Sequence, residues 1–206
     1  MDRKHLGVVI AVIGLGLGAF SHASSGLPGP WRWIGNFGAL WVAVAFFAGR
    51  LADDIRRGSF AGAASLAVAS VIHYVPHRVM LNGFSSQAFR WPVGLWVVVG
   101  IAVGLLFGGL GAAHAQHMDF FSNLGVALLA AIFAAEALVL FRIGHERAVQ
   151  VAVPIEALAA LTLPLLLLDS VRDRVRTYLV ALALVPLGAL GLAAFMGVIH
   201  RVYPGI

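Results

Sequence analysis

The chain has 206 residues, of which 61% are hydrophobic and 11% charged, and its mean hydropathy is +0.94. Soluble domains run nearer half apolar and a quarter charged, so a soluble enzyme, a secreted disulfide scaffold and a disordered chain are excluded. The absence of cysteine removes disulfides, iron–sulfur clusters, thiolate zinc and cysteine nucleophiles, and the net charge of +5 lies in short loops, where it reads as topology and lipid-headgroup contact rather than nucleic-acid binding.

A spanning helix needs about 20 mostly apolar residues. Seven stretches qualify: Leu6–Ser21, Asn36–Ala52, Gly58–Met80, Trp91–Ala113, Phe121–Phe141, Val151–Leu168 and Thr177–His200. The expected fold is an all-α transmembrane helical bundle of seven spans, or of six if the first or sixth fails to cross. The connections between them are short, so residues 1–206 are expected to form a single integral membrane domain.

In the first span, Arg3 and Lys4 precede an apolar run that ends at Ser21-His22-Ala23. That is also the layout of a secretory signal peptide; we read it as a retained first helix. Gly14 and Gly18 share one of its faces. The next connection, Gly26-Leu-Pro-Gly-Pro-Trp-Arg-Trp, is rigid. Its Trp31 and Trp33 serve an aromatic belt, or the loop folds back as a lid and Trp31 and Trp33 line a ligand.

The third span carries His73, Tyr74, His77 and Arg78, with His73/His77 and Tyr74/Arg78 each spaced i, i+4. The fourth carries Gly100, Gly104 and Gly108 every four residues, with Gly111 one turn on. Such stripes allow close helix packing within a bundle, or docking of a partner subunit through the glycine-rich faces. His114 and His117, with Asp119, read as a solvated loop. The fifth and sixth spans hold Glu136 and Glu156. Pro76, Pro154, Pro164 and Pro186 fall inside spans, where each removes a backbone hydrogen bond.

Lys and Arg set orientation. With the amino terminus inside, the inner side holds Arg3, Lys4, Arg50, Arg56, Arg57, Arg172, Arg174 and Arg176. The outer side holds Arg32, Arg78, Arg90, Arg142, Arg147 and Arg201. This bias places the amino terminus inside and the carboxyl terminus outside. Glu136, Glu156 and His73 then lie roughly 8–10 Å from the outer ends of their spans, at about 1.5 Å per residue.

Ionisable residues inside spans are costly and carry a functional hypothesis by default. Glu136, Glu156 and His73 are expected to face the bundle interior and line one polar cavity, with Tyr74, Arg78 and Trp31 as further ligand-binding residues. His73, His77 and Glu136 form the candidate metal set, although no Glu-x-x-His or His-Glu-x-x-His pattern supports it. A structural alternative has Arg78 pairing with Glu136 or Glu156. There is no Gly-x-Ser-x-Gly and no Walker loop; the run Gly14-Leu-Gly-Leu-Gly lies inside an apolar helix without a following Lys.

Three sets of residues resemble a known family. The first is Leu27-Pro-Gly-Pro-Trp31 followed by Asn36, Gly38-Ala-Leu-Trp41 and Ala45-Phe-Phe-Ala-Gly49. The second is Phe107-Gly-Gly-Leu-Gly-Ala112 and the third Ala134-Ala-Glu136-Ala-Leu138. Their order and spacing resemble a bacterial membrane family catalogued as domain of unknown function 6518, over nearly the whole chain. That family often shows Gly-Tyr-Tyr on the third span; His73-Tyr74-Val75 matches it only at the tyrosine. The resemblance implies small size and several spans, and no substrate, cofactor or catalytic residue.

The leading expectation is a non-catalytic small-molecule binding or permeation subunit, multi-pass in the cell membrane, with its polar site in the outer half. Its size and helix count are similar to those of the substrate-capture components of vitamin and metal importers, an analogy of architecture. The alternatives are a structural subunit of a membrane complex and a metal-dependent intramembrane enzyme. The lipid bilayer is the expected partner, and no cofactor is indicated.

Overall fold

The computed structural model describes residues 3–28, 34–35, 37–82, 87–143 and 147–202. They form α1 (Arg3–Ser25), α2 (Gly38–Arg50), α3 (Ile55–Asn82), α4 (Gln87–Ala115), α5 (Asp119–Ile143), α6 (Arg147–Leu167) and α7 (Val171–Val202). Each coincides with one of the seven apolar stretches. The fold is all-α, with no strand among the described residues. Five helices are long and apolar enough to cross a membrane, while α2 and the apolar part of α6 are shorter. The chain forms two compact units, Met1–Gly125 and Val126–Ile206.

Local chemistry sets the helix ends. Asp54 accepts the Arg57 backbone N–H at 2.8 Å and caps α3, as a short acidic side chain does at a helix start. Arg57 closes the turn through ion pairs of 3.2 Å to both Asp53 and Asp54. Ser170 caps α7 through the Asp173 N–H at 3.3 Å. At the end of α4, His117 takes a left-handed φ of 55°. Its N–H reaches the His114 carbonyl and the Met118 N–H the Ala113 carbonyl, both at 3.1 Å. This is a Schellman cap, built on histidine where glycine is usual.

In the first unit, α3 and α4 pack most closely, antiparallel and backbone to backbone. Gly58 lies against Gly108, and Gly62 against Gly104. A Cβ added to Gly104 would stand 2.5 Å from the Ala63 Cα. On the other side of α3, α1 runs parallel to it: a Cβ at Gly14 would meet the Ser65 carbonyl at 2.7 Å, and one at Gly18 the Ala69 carbonyl at 2.6 Å. The glycine faces that had offered themselves for a partner subunit are thus occupied by the chain's own helices. Helix α2 enters the same seam, with Gly49 on Gly108 and the Phe46 carbonyl on Gly111. The α1, α2, α3 and α4 axes therefore alternate in direction.

His114 corrects the loop expectation. It belongs to the last turn of α4, is buried, and shares a 2.8 Å hydrogen bond with Ser122 beside the Phe46 ring. The short α4–α5 turn folds α5 back and brings these side chains together.

In the second unit, small residues again form the contact. Ala127, Ala130 and Ala131 of α5 enclose Ala181 of α7, with Leu184 and Val185 packed against them. The Tyr178 hydroxyl of α7 donates to the Leu161 carbonyl of α6, and Arg174 donates to the Leu168 carbonyl at 2.7 Å. Helices α6 and α7 continue through Pro154, Pro164 and Pro186.

Candidate functional site: a buried carboxyl pair and an imidazole cluster

Helix α6 buries one stripe, at Ala152, Glu156, Ala160 and Pro164, every fourth residue, and Leu168 just past its end continues it. Its other faces expose Ile155, Leu158, Leu161 and Leu166. The i, i+4 spacing turns Glu156 inward with the small residues. Only 2% of Glu156 is exposed, and neither carboxyl oxygen has a hydrogen-bond partner among the described residues. Its ionisable neighbour is Glu136 of α5, which is half-buried between Ala135 and Ala137. Two carboxyl groups thus share one apolar setting. A carboxyl group there requires a hydrogen-bond donor or a cation if ionised, or else keeps its proton, because apolar surroundings replace none of the water it gives up.

In the first unit, the parallel register of α1 and α3 brings Ser21 and His22 beside His73. Ser21 is fully buried and shares a 2.9 Å hydrogen bond with His73 Nδ1. His22 donates from Nδ1 to the His73 carbonyl at 3.2 Å. The Trp41 ring stands edge-on to His73 at 6.1 Å and that of Tyr74 at 4.4 Å, and Tyr74 stacks on Trp96. Trp41 is itself anchored by donation to the Gly35 carbonyl at 2.9 Å. The imidazole is therefore oriented from α1, α2 and its own α3, with Trp96 of α4 backing Tyr74.

Of the expected site residues, His73 and Tyr74 lie together in the first unit, and Glu136 and Glu156 together in the second. Trp31 and the side chains of His77 and Arg78 lie outside the described residues. Among the described residues no group of three or more His, Asp or Glu side chains is placed to hold a metal ion. Ser21, His22, Trp41 and Trp96 complete the imidazole cluster, and none of them is among the site residues expected from sequence. The available signal was positional: in an alternating helix order the end of α1, the start of α2 and the His73 turn of α3 fall at one end.

The apolar helices fit a lipid bilayer, and the protein is a multi-pass membrane protein. Its residues 3–200 match the sequence model described as "Family of unknown function (DUF6518)". The chain belongs to DUF6518. That match takes in all seven helices of this DUF6518 member, up to the last two residues of α7. No curated protein and no solved structure matches the DUF6518 chain.

Proposed function

We propose that this protein is a non-catalytic subunit of the cell membrane that binds or passes a small polar solute, with Glu136 and Glu156 as the binding groups. The observation that supports this most is the burial of Glu156 without a donor for either carboxyl oxygen. An ionisable group inside a membrane helix is costly and points by default to something that binds it. Two adjacent carboxyls favour a cationic solute, such as a monovalent metal ion or a small amine. His73 serves as an oriented, structural imidazole that ties α1 to α3, with Tyr74 beside it. All of residues 1–206 act as one membrane-embedded domain.

The test is a thermal-stability screen of the purified protein against alkali cations and small organic amines. At least one class should raise the melting temperature, and Glu156→Gln and Glu136→Gln should each abolish that response. If neither variant alters the response to any member of the panel, the carboxyls are not the binding groups.

A structural-subunit reading draws on α7, whose Leu182, Leu187 and Leu190 are each about two-thirds exposed or more. In that case Glu156→Gln changes the melting temperature without added solute, and no member of the panel binds.

A further inference from the structure

Helix α2 is too short for the hydrocarbon layer. Its 13 residues reach about 20 Å at 1.5 Å per residue, against roughly 30 Å of bilayer core. Its inward face is taken up by the α3–α4 seam through Ala45, Ala48 and Gly49, and its other face is open. There Leu40, Val44, Phe47 and Leu51 form an apolar stripe, and Ile13 of α1 makes the opposite wall of a groove of about 590 Å³. Phe47 and Leu51 are 40% and 42% exposed. The groove has one charged lining group, Arg50.

Arg50 is placed for an anion. Its guanidinium lies over the Phe47 ring at 5.8 Å, so the side chain is held along the groove rather than extended away. The nearby acids are engaged elsewhere: Asp53 and Asp54 both pair with Arg57. No ion pair of Arg50 occurs among the described residues. A groove with an apolar floor and a single cation at its end matches one class of ligand in shape and charge: an acyl chain joined to an anionic headgroup.

We propose that the α1–α2 groove holds an anionic phospholipid, with one acyl chain along Leu40, Val44, Phe47 and Leu51 and its phosphate at Arg50. The lipid completes the bilayer-facing side of α2, the helix that cannot span alone. Basic groups beside membrane helices recognise anionic headgroups in this way. This site is independent of the carboxyl pair.

Native mass spectrometry of the full chain in detergent tests the assignment, with dioleoyl phosphatidylglycerol and dioleoyl phosphatidylcholine as competing probes. The wild-type protein should retain the anionic phosphatidylglycerol in preference. Arg50→Gln should reduce that preference about fivefold, the loss expected for one basic contact, and Arg50→Lys should keep most of it. Val44→Trp, which fills the groove, should lower retention of both lipids. Circular dichroism and a monodisperse elution profile establish that each variant is folded. Equal retention of the two lipids by the wild type would overturn the proposal. So would an Arg50→Gln variant with unchanged preference, or a groove occupied by a second copy of the chain and not by lipid.

Discussion

One added methyl group separates the glycines of α4 into two kinds. At Gly104 it would strike the α3 backbone, 2.5 Å from the Ala63 Cα, and a helix backbone cannot rotate away as a side chain can. At Gly100 the nearest atom is the Ser70 hydroxyl at 3.3 Å, the end of a side chain that can turn aside by a few tenths of an ångström. Gly104→Ala should therefore destabilise the protein by about 1–3 kcal/mol, the usual cost of overpacking. Gly100→Ala should stay within about 0.5 kcal/mol of wild type. Thermal unfolding in detergent distinguishes them. At His117 the effect has the opposite sign. The left-handed backbone costs a residue with a Cβ about 1–2 kcal/mol, which outweighs the extra entropy of fixing glycine, about 0.5–1 kcal/mol, so His117→Gly should gain about 0.5–1 kcal/mol. A lower melting temperature would show that the His117 side chain contributes more than the backbone loses.

Helices in lipid differ from helices in water in what their two faces reveal. Leu105 and Leu106 of α4 are exposed while Phe107 and Leu110 are buried, and all four are equally apolar. Span positions were therefore legible in the sequence, from runs of about 20 apolar residues, and span orientation was not, because lipid and protein interior accept the same side chains. Small residues carried the remaining signal. The Gly100/Gly104/Gly108 stripe marked the α3-facing side of α4, and Glu136 and Glu156 marked themselves as charges inside spans. The Ser21–His73 contact was not legible, since it depends on the parallel register of α1 and α3. The same contrast predicts behaviour along α7. Leu187→Ala and Leu190→Ala, at exposed positions, should leave the melting temperature nearly unchanged. Ala181→Leu, inside the alanine contact with α5, should lower stability by about 1–3 kcal/mol.

For the molecule as a whole, the testable quantity is sidedness. The chain has no cysteine, so any introduced thiol reports its own position without background. Positive charge near Arg50–Arg57 and Arg172–Arg176 predicts that thiols placed at Asp53, Gln116 and Asp169 react only with a reagent on the cytoplasmic side. A thiol at Leu27 should react only from the opposite side. If Asp53 and Leu27 exchange these responses, the orientation is reversed. If Gln116 and Asp169 respond from different sides, only one of α5 and α6 crosses. Labelling of the Leu27 thiol alone, by an impermeant reagent added to intact cells, would locate the protein in the cell membrane.

The glycine seam between α3 and α4 also bears on the order of assembly during synthesis. The α3–α4 contacts of its glycines fall between Ile55 and Ala112, on two consecutive helices joined by a short connection. Hairpin closure between neighbours costs little chain entropy. This pair can therefore dock as soon as α4 leaves the ribosome and enters the bilayer, while α5, α6 and α7 are still being made. Helix α1, inserted earlier, then finds a finished α3 face for Gly14 and Gly18. A lesion at Gly104 would act at that early step, and its first symptom in a cell would be loss of newly made chain to proteolysis, ahead of any defect in the mature protein.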